Sequence, residues 1–242
     1  MAEQADLFAP GLAEATSLSV IAPAADACAE LRSRFAAHGL SALDEGDTLA
    51  LILTRCLRPG ANAVCAADAL MGRFGGAARV FGAPEPELAR VIGRDAAREL
   101  TLLHGLLLRL LEHPLRQRTQ LGSHEAVKTY LRARLGALPR EVFHVLFLDK
   151  RHQLIADERL GVGTVDHAPV YPREVARRAL ELSASAVLLA HNHPSGDPAP
   201  SRADIEMTKL VVEALRVLGI AVPDHFIVAG DQVASLRTQG LM

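Results

Sequence analysis

A chain of 242 residues, half of them hydrophobic and 22% charged, has the composition of a soluble globular protein and excludes a disordered or fibrous one. Its formal charge of −2 excludes a globally basic nucleic-acid or membrane surface, so any such contact must come from a local patch. Three cysteines, Cys28, Cys56 and Cys65, odd in number and without paired spacing, suit a reduced cytoplasmic protein and read as small buried hydrophobes.

Residues 1–26 are rich in Ala, Pro and acidic groups, show no sustained period and read as a loose leader. The opening Met1-Ala2-Glu3-Gln4-Ala5-Asp6 carries no basic stretch, and no apolar run reaches the roughly 18 to 20 residues of a membrane helix. The expectation is a cytoplasmic protein with no membrane partner. Helical periodicity then covers 27–38, 43–58, 62–73, 84–91 and the strongly apolar stretch 95–111, which predicts an all-helical domain over 27–114. From Met1 to Pro114 there are ten Arg and no Lys against fourteen Asp and Glu, which argues against bulk DNA binding.

His113-Pro114 is expected to break the last helix, and residues 115–121, with Arg116-Gln117-Arg118, to form a polar linker. The pattern changes over 122–242. Ser123 can cap a helix to about Leu135, residues 141–149 read as a buried strand, and residues 154–161 read as its neighbour. Tyr171-Pro172 begins a helix to about Ser183, and the short apolar strand 186–190 leads directly to His191. A helix over 202–218 follows, with 221–228 and 233–237 as closing strands. This half is α/β, and its histidines sit at the carboxyl end of a strand, where open sheets usually place ligands.

That loop reads His191-Asn192-His193-Pro194-Ser195-Gly196-Asp197-Pro198-Ala199-Pro200-Ser201, and Asp204 follows. Two imidazoles two residues apart reach one ion when the backbone between them is extended, and a carboxylate adds a third, oxygen donor. Three protein ligands leave a fourth tetrahedral position for water, the arrangement of hydrolytic zinc sites. Ser201-x-x-Asp204 before an apolar run also has the form of a helix capping box, and the two roles are compatible. Glu141, beside Arg140, reads on its own as a solvated strand end. His104, His113 and His124 lack companions at ligand spacing, His144 reads as a satisfied core histidine, and His167 and His225 offer no geometry. Arg177-Arg178 reads as a solvated helix face.

The loop, with Leu160-Gly161, Thr164-Val165-Asp166, residues 168–173 and Asp224-His225-Phe226-Ile227-Val228, closely resembles the RadC family and its JAMM, or MPN, metalloprotease signature. The resemblance implies an α/β JAMM/MPN domain, a mixed sheet flanked by helices, after a smaller all-helical, degenerate helix-hairpin-helix-like domain. It implies Zn2+ held by His191, His193 and Asp204, with Glu141 at the position of the glutamate that works on the metal-bound water. Ser201 would donate to the oxyanion. A zinc-dependent hydrolase of peptide or isopeptide bonds, acting on a protein or peptide, is the expected function. The alternative is a DNA-associated accessory protein with a non-catalytic metal site. The family's Gly-Ile-Gly type turn is Gly93-Arg94-Asp95 here, and Asp95 puts a negative charge where a phosphate would lie, which weakens that alternative. Nothing in the pattern encodes an oligomeric state.

Overall fold

The computed structural model of the protein describes residues 24–116, 124–162 and 170–242. The leader up to residue 23, residues 117–121 of the expected linker, Ser123 with its expected cap, and His167 with the signature residues 164–166 lie outside the described residues. No helix among the described residues is long and apolar enough to cross a membrane.

The N-terminal region is all helical: α1 (Ala24–His38), α2 (Glu45–Cys56), α3 (Ala63–Phe74), α4 (Ala77–Gly82), α5 (Glu85–Ile92) and α6 (Arg94–Arg116). Side chains set the helix starts where the sequence offers them. Asp44 accepts from the Asp47 amide ahead of α2, and Asn62 accepts from the Cys65 amide ahead of α3, each satisfying a donor the helix leaves unpaired. Leu49, Leu53, Leu70, Val80, Leu88 and Leu100 close a core of their own. The sequence pattern misses α4 because six residues between Gly75-Gly76 and Ala83-Pro84 are too short to show a period; burial of Val80 holds it. Cys28 is buried as expected, but Cys65 is exposed on α3. Gly93 alone joins α5 to α6, and Asp95 lies in the first turn of α6, where the helix dipole favours a carboxylate.

The expected break at His113-Pro114 does not occur, and α6 continues to Arg116. Proline costs the helix one hydrogen bond, but the two residues beyond it are anchored from outside. Leu115 is buried in the core of the second region, and Leu111 packs against that core. Arg116 donates to Glu112 within the helix and, at 3.0 Å, to the Ile155 carbonyl. One helix thus joins both cores. The two regions also meet where Gly82 closes on Ala137, so tightly that a Cβ on Gly82 would lie 2.5 Å from the Ala137 Cβ.

The second region is a mixed sheet in the order β2-β1-β3-β4-β5, formed by β1 (Val142–Leu148), β2 (Leu154–Val162), β3 (Ala186–Asn192), β4 (His225–Ala229) and β5 (Gln232–Ser235). β3 and β4 are parallel and the other pairs antiparallel. Alternation along β1 divides its residues between two layers. Val142, Leu146 and Leu148 join α7 (His124–Leu135), whereas Phe143, Val145 and Phe147 join α8 (Pro172–Glu181) and α9 (Arg202–Arg216). The closing strand expected from residue 221 begins only at His225; Ala221 makes a single bridge to Ala186. Between them, Pro223 lacks an amide, and the buried Asp224 carboxylate accepts from the amides of His225 and Arg237, the Ser235 hydroxyl and His124.

His144 is the satisfied core histidine its apolar strand predicts, with Nδ1 2.7 Å from Asp157 Oδ1. Tyr130 donates to Asp157 Oδ2 at 2.6 Å, and Arg134 lies 3.4 Å from the same oxygen. Burial alone would raise the Asp157 carboxyl, but His144, Tyr130 and Arg134 outweigh it and hold the group below its ordinary value of 3.8. A depressed folded-state value contributes stability that is present above the ordinary value and lost as pH falls through the folded one. Urea unfolding of metal-free protein should therefore show a loss of stability below about pH 4 that flattens in Asp157→Asn. The same substitution should cost about 3 kcal/mol at pH 7, because it breaks a buried charged cluster. An unchanged acid limb in the variant would assign that limb to other carboxyl groups.

Candidate metal centre

The site lies at the carboxyl end of β3. Phe143 pairs with His191 across the antiparallel β1–β3 ladder, so both side chains leave the same face, and their rings stack at 6.0 Å with an interplanar angle of 12°. His193 is two residues on, and its amide donates to the Val228 carbonyl at 2.8 Å, continuing the parallel contact with β4. The extended backbone keeps His191 and His193 on one side. Asp204 comes from the first turn of α9, where the capping box is complete. Ser201 Oγ accepts from the Asp204 amide at 3.1 Å, and Asp204 Oδ2 accepts from the Ser201 amide at 2.7 Å and the Ser201 hydroxyl at 2.6 Å.

These elements bring three donors together. His191 Nε2 lies 2.9 Å from His193 Nε2 and 3.2 Å from Asp204 Oδ1, and His193 Nε2 lies 3.6 Å from Asp204 Oδ2. A tetrahedral ion with bonds near 2.0–2.2 Å separates its ligands by about 3.3 Å, and the observed distances bracket that value. The donor chemistry points the same way. His193 Nδ1 is 2.8 Å from the Asp197 carbonyl, which can only accept, so in the neutral ring Nδ1 carries the hydrogen and Nε2 presents a lone pair. His191 has its Nδ1 engaged elsewhere, at 2.8 Å from His225 Nε2, which leaves its Nε2 facing His193. Two imidazole nitrogens at 2.9 Å need a shared hydrogen or a metal ion between them. The residues present fit a metal ion held by His191, His193 and Asp204.

Asp204 is the chief cause that raises the His193 imidazole above its ordinary value against the effect of burial; the Asp197 carbonyl and the charge of Glu141 add to the rise. Burial alone would raise the Asp204 carboxyl, but His191, His193 and Ser201 together hold it far below the usual carboxylate range. Glu141 is buried at the residue before β1, two positions ahead of Phe143, which pairs with His191 in the sheet. Ser201 stands at the cap with its hydroxyl hydrogen directed to Asp204.

Three residues that sequence reasoning left without a role belong to this centre. Asn192, read only as the spacer between two histidines, accepts from the Val142 amide at 2.9 Å through Oδ1. Its Nδ2 donates to the carbonyls of Arg140 and Leu138 at 3.0 and 3.2 Å, so one carboxamide holds the backbone on both sides of Glu141. His225 and Thr208 lie behind His191 and are wholly buried. The Asp224-His225 sequence was the available signal for His225, whereas Thr208 had none beyond its place one turn after Asp204.

A mixed five-stranded sheet flanked by helices, carrying a His-x-His-and-Asp cluster at the end of a central strand, is the fold of a JAB-type domain. The RadC-like JAB domain family matches residues 121–241. The chain belongs to that family.

Titration of chelator-treated protein with zinc as the probe ion should saturate at one equivalent, and His191→Ala with His193→Ala should abolish uptake while the helical circular dichroism signal persists. If Asp204 is a ligand as well as the cap partner it is seen to be, Asp204→Asn should both weaken uptake at least tenfold and lower stability by about 0.5–2 kcal/mol. Wild-type zinc affinity in Asp204→Asn would reduce that residue to its capping role.

Proposed function

We propose that this protein is a zinc-dependent hydrolase of amide bonds, peptide or isopeptide, with a protein or peptide as substrate. The observation that carries the reading is the convergence of His191, His193 and Asp204 at the end of β3, with the buried Glu141 at the start of the neighbouring β1. Three protein donors are one short of a tetrahedral set, the composition of catalytic zinc sites.

A bound zinc ion supplies an activated water and a Lewis acid for the scissile carbonyl. Glu141 takes the proton the attacking water loses and delivers it to the nitrogen of the departing amine. Asn192 supports that role by fixing the backbone at Arg140 and Val142, on either side of the base. Ser201 has further to travel. Its hydroxyl now donates to Asp204 Oδ2, and rotation about its side chain would turn it to the developing oxyanion while Asp204 keeps its second bond to the Ser201 amide. Cys28, Cys56 and Cys65 are free thiols, which supports a reducing compartment, the cytoplasm.

Comparing protein termini and isopeptide links in cells carrying wild-type protein or Glu141→Gln should reveal the substrate. On that substrate Glu141→Gln should keep one zinc per chain and lose turnover by about 10²-fold or more. Ser201→Ala should keep zinc and fall about 10²–10³-fold, the scale of one lost oxyanion donor. Equal turnover in wild type and Glu141→Gln would end the assignment of the base. Metal-loaded protein that cleaves nothing but binds duplex DNA with a steep salt dependence would favour the DNA-associated role instead.

A further inference from the structure

We infer that Thr208 and His225 form a buried relay that fixes the tautomer and ring orientation of His191, making both of them positioning residues of the metal centre. The inference rests on His191 being a ligand, and it follows from counting hydrogens. Thr208 Oγ1 lies 2.6 Å from the Asp204 backbone carbonyl and 2.6 Å from His225 Nδ1. A carbonyl oxygen only accepts, so the one hydroxyl hydrogen of Thr208 is committed to it. The contact between Thr208 and His225 then needs its hydrogen from the ring, and His225 Nδ1 must carry it.

A neutral imidazole with its hydrogen on Nδ1 has a lone pair on Nε2. His225 Nε2 is 2.8 Å from His191 Nδ1, so it accepts there, and His191 Nδ1 is the donor. The lone pair of His191 is left on Nε2, the atom facing His193 and Asp204. Each link therefore has one polarity, running from His191 through His225 and Thr208 to the Asp204 carbonyl. The relay begins and ends on two metal-binding residues.

The surroundings keep His225 in place. It is wholly buried, and its two ring nitrogens are taken up by Thr208 and His191, with no carboxylate on either. Phe143 meets the His225 ring edge-on at 5.5 Å while stacking on His191, which resists a flip of either ring. Asp204 and Thr208 sit one turn apart on α9, so the turn that presents the carboxylate ligand also holds the far end of the relay. Partners behind a ligating histidine commonly change metal affinity 10–100-fold when removed.

The test uses the full chain with uniformly 15N-labelled histidine and zinc as the probe ion. Long-range proton–nitrogen spectra of wild type should show His225 as the Nδ1–H tautomer both without and with zinc. Thr208→Val keeps the shape and loses the hydroxyl; it should populate the Nε2–H tautomer of His225 and weaken zinc affinity about 10–100-fold, whereas Thr208→Ser should restore both. A wild-type His225 found as Nε2–H overturns the relay even if Thr208→Val does not fold. Wild-type zinc affinity with an unchanged tautomer in folded Thr208→Val overturns it as well. Failure of wild-type protein to bind zinc, with His225 still Nδ1–H, would instead refute the ligand reading and leave the hydrogen-bond polarity standing.

Discussion

In the antiparallel pairing of β1 with β3, Phe143 lies opposite His191, and the face of the sheet on which His191 meets α9 depends on that register. A slip of one residue would turn His191 and His193 away from α9 and toward the α7 layer, because side chains alternate with a period of two. The register is protected by burial. Each residue of β1 and of β3 is enclosed on both faces, so a slipped pairing would drive Leu146 and Leu188 out of one core and Phe143 and Leu189 out of the other. The same pairing brings Asn192 to the start of β1, where its carboxamide replaces the ladder partner that Val142 would otherwise lack. Apolar packing thus sets positions to which the polar residues then add direction.

Asp204 shows how one side chain serves two ends. Its Oδ2 closes the capping box with Ser201 while Oδ1 faces His191, so local helix chemistry holds the carboxylate in one rotamer before any ion arrives. Part of the ordering cost of binding is already met in folding. The Asp197 carbonyl does the same for His193. Preorganisation here comes from the loop's own backbone and from the first turn of α9.

The parts of this centre that lie close together in the chain were legible in the sequence, and the parts that meet through the sheet were not. His191, His193 and Asp204 declare themselves by spacing within one loop, and the buried strand around His144 declares a core histidine. His225 reaches His191 across 34 residues by way of the parallel β3–β4 pairing, and Thr208 of α9 across 17, neither of which a local pattern encodes. Glu141 was legible through family resemblance alone, since a glutamate at a strand end has no distinguishing period. The all-helical region followed from periodicity, but two local signals misled. Glycine-rich flanks concealed α4, and Pro114 suggested a stop that the anchoring of Leu115 and Arg116 overrides.

The bond from Arg116 to the Ile155 carbonyl also bears on the exposed border of the sheet. β2 is an outer strand, and the unpaired amides and carbonyls of an outer strand are a template on which a second chain can add. The last turn of α6 lies over that border and occupies one of its acceptors with a guanidinium. Separating the two regions by cutting after Arg116 would therefore uncover that acceptor as well as remove six helices. The helical region thus covers part of an outer strand of its neighbour, independently of any chemistry at the candidate metal centre.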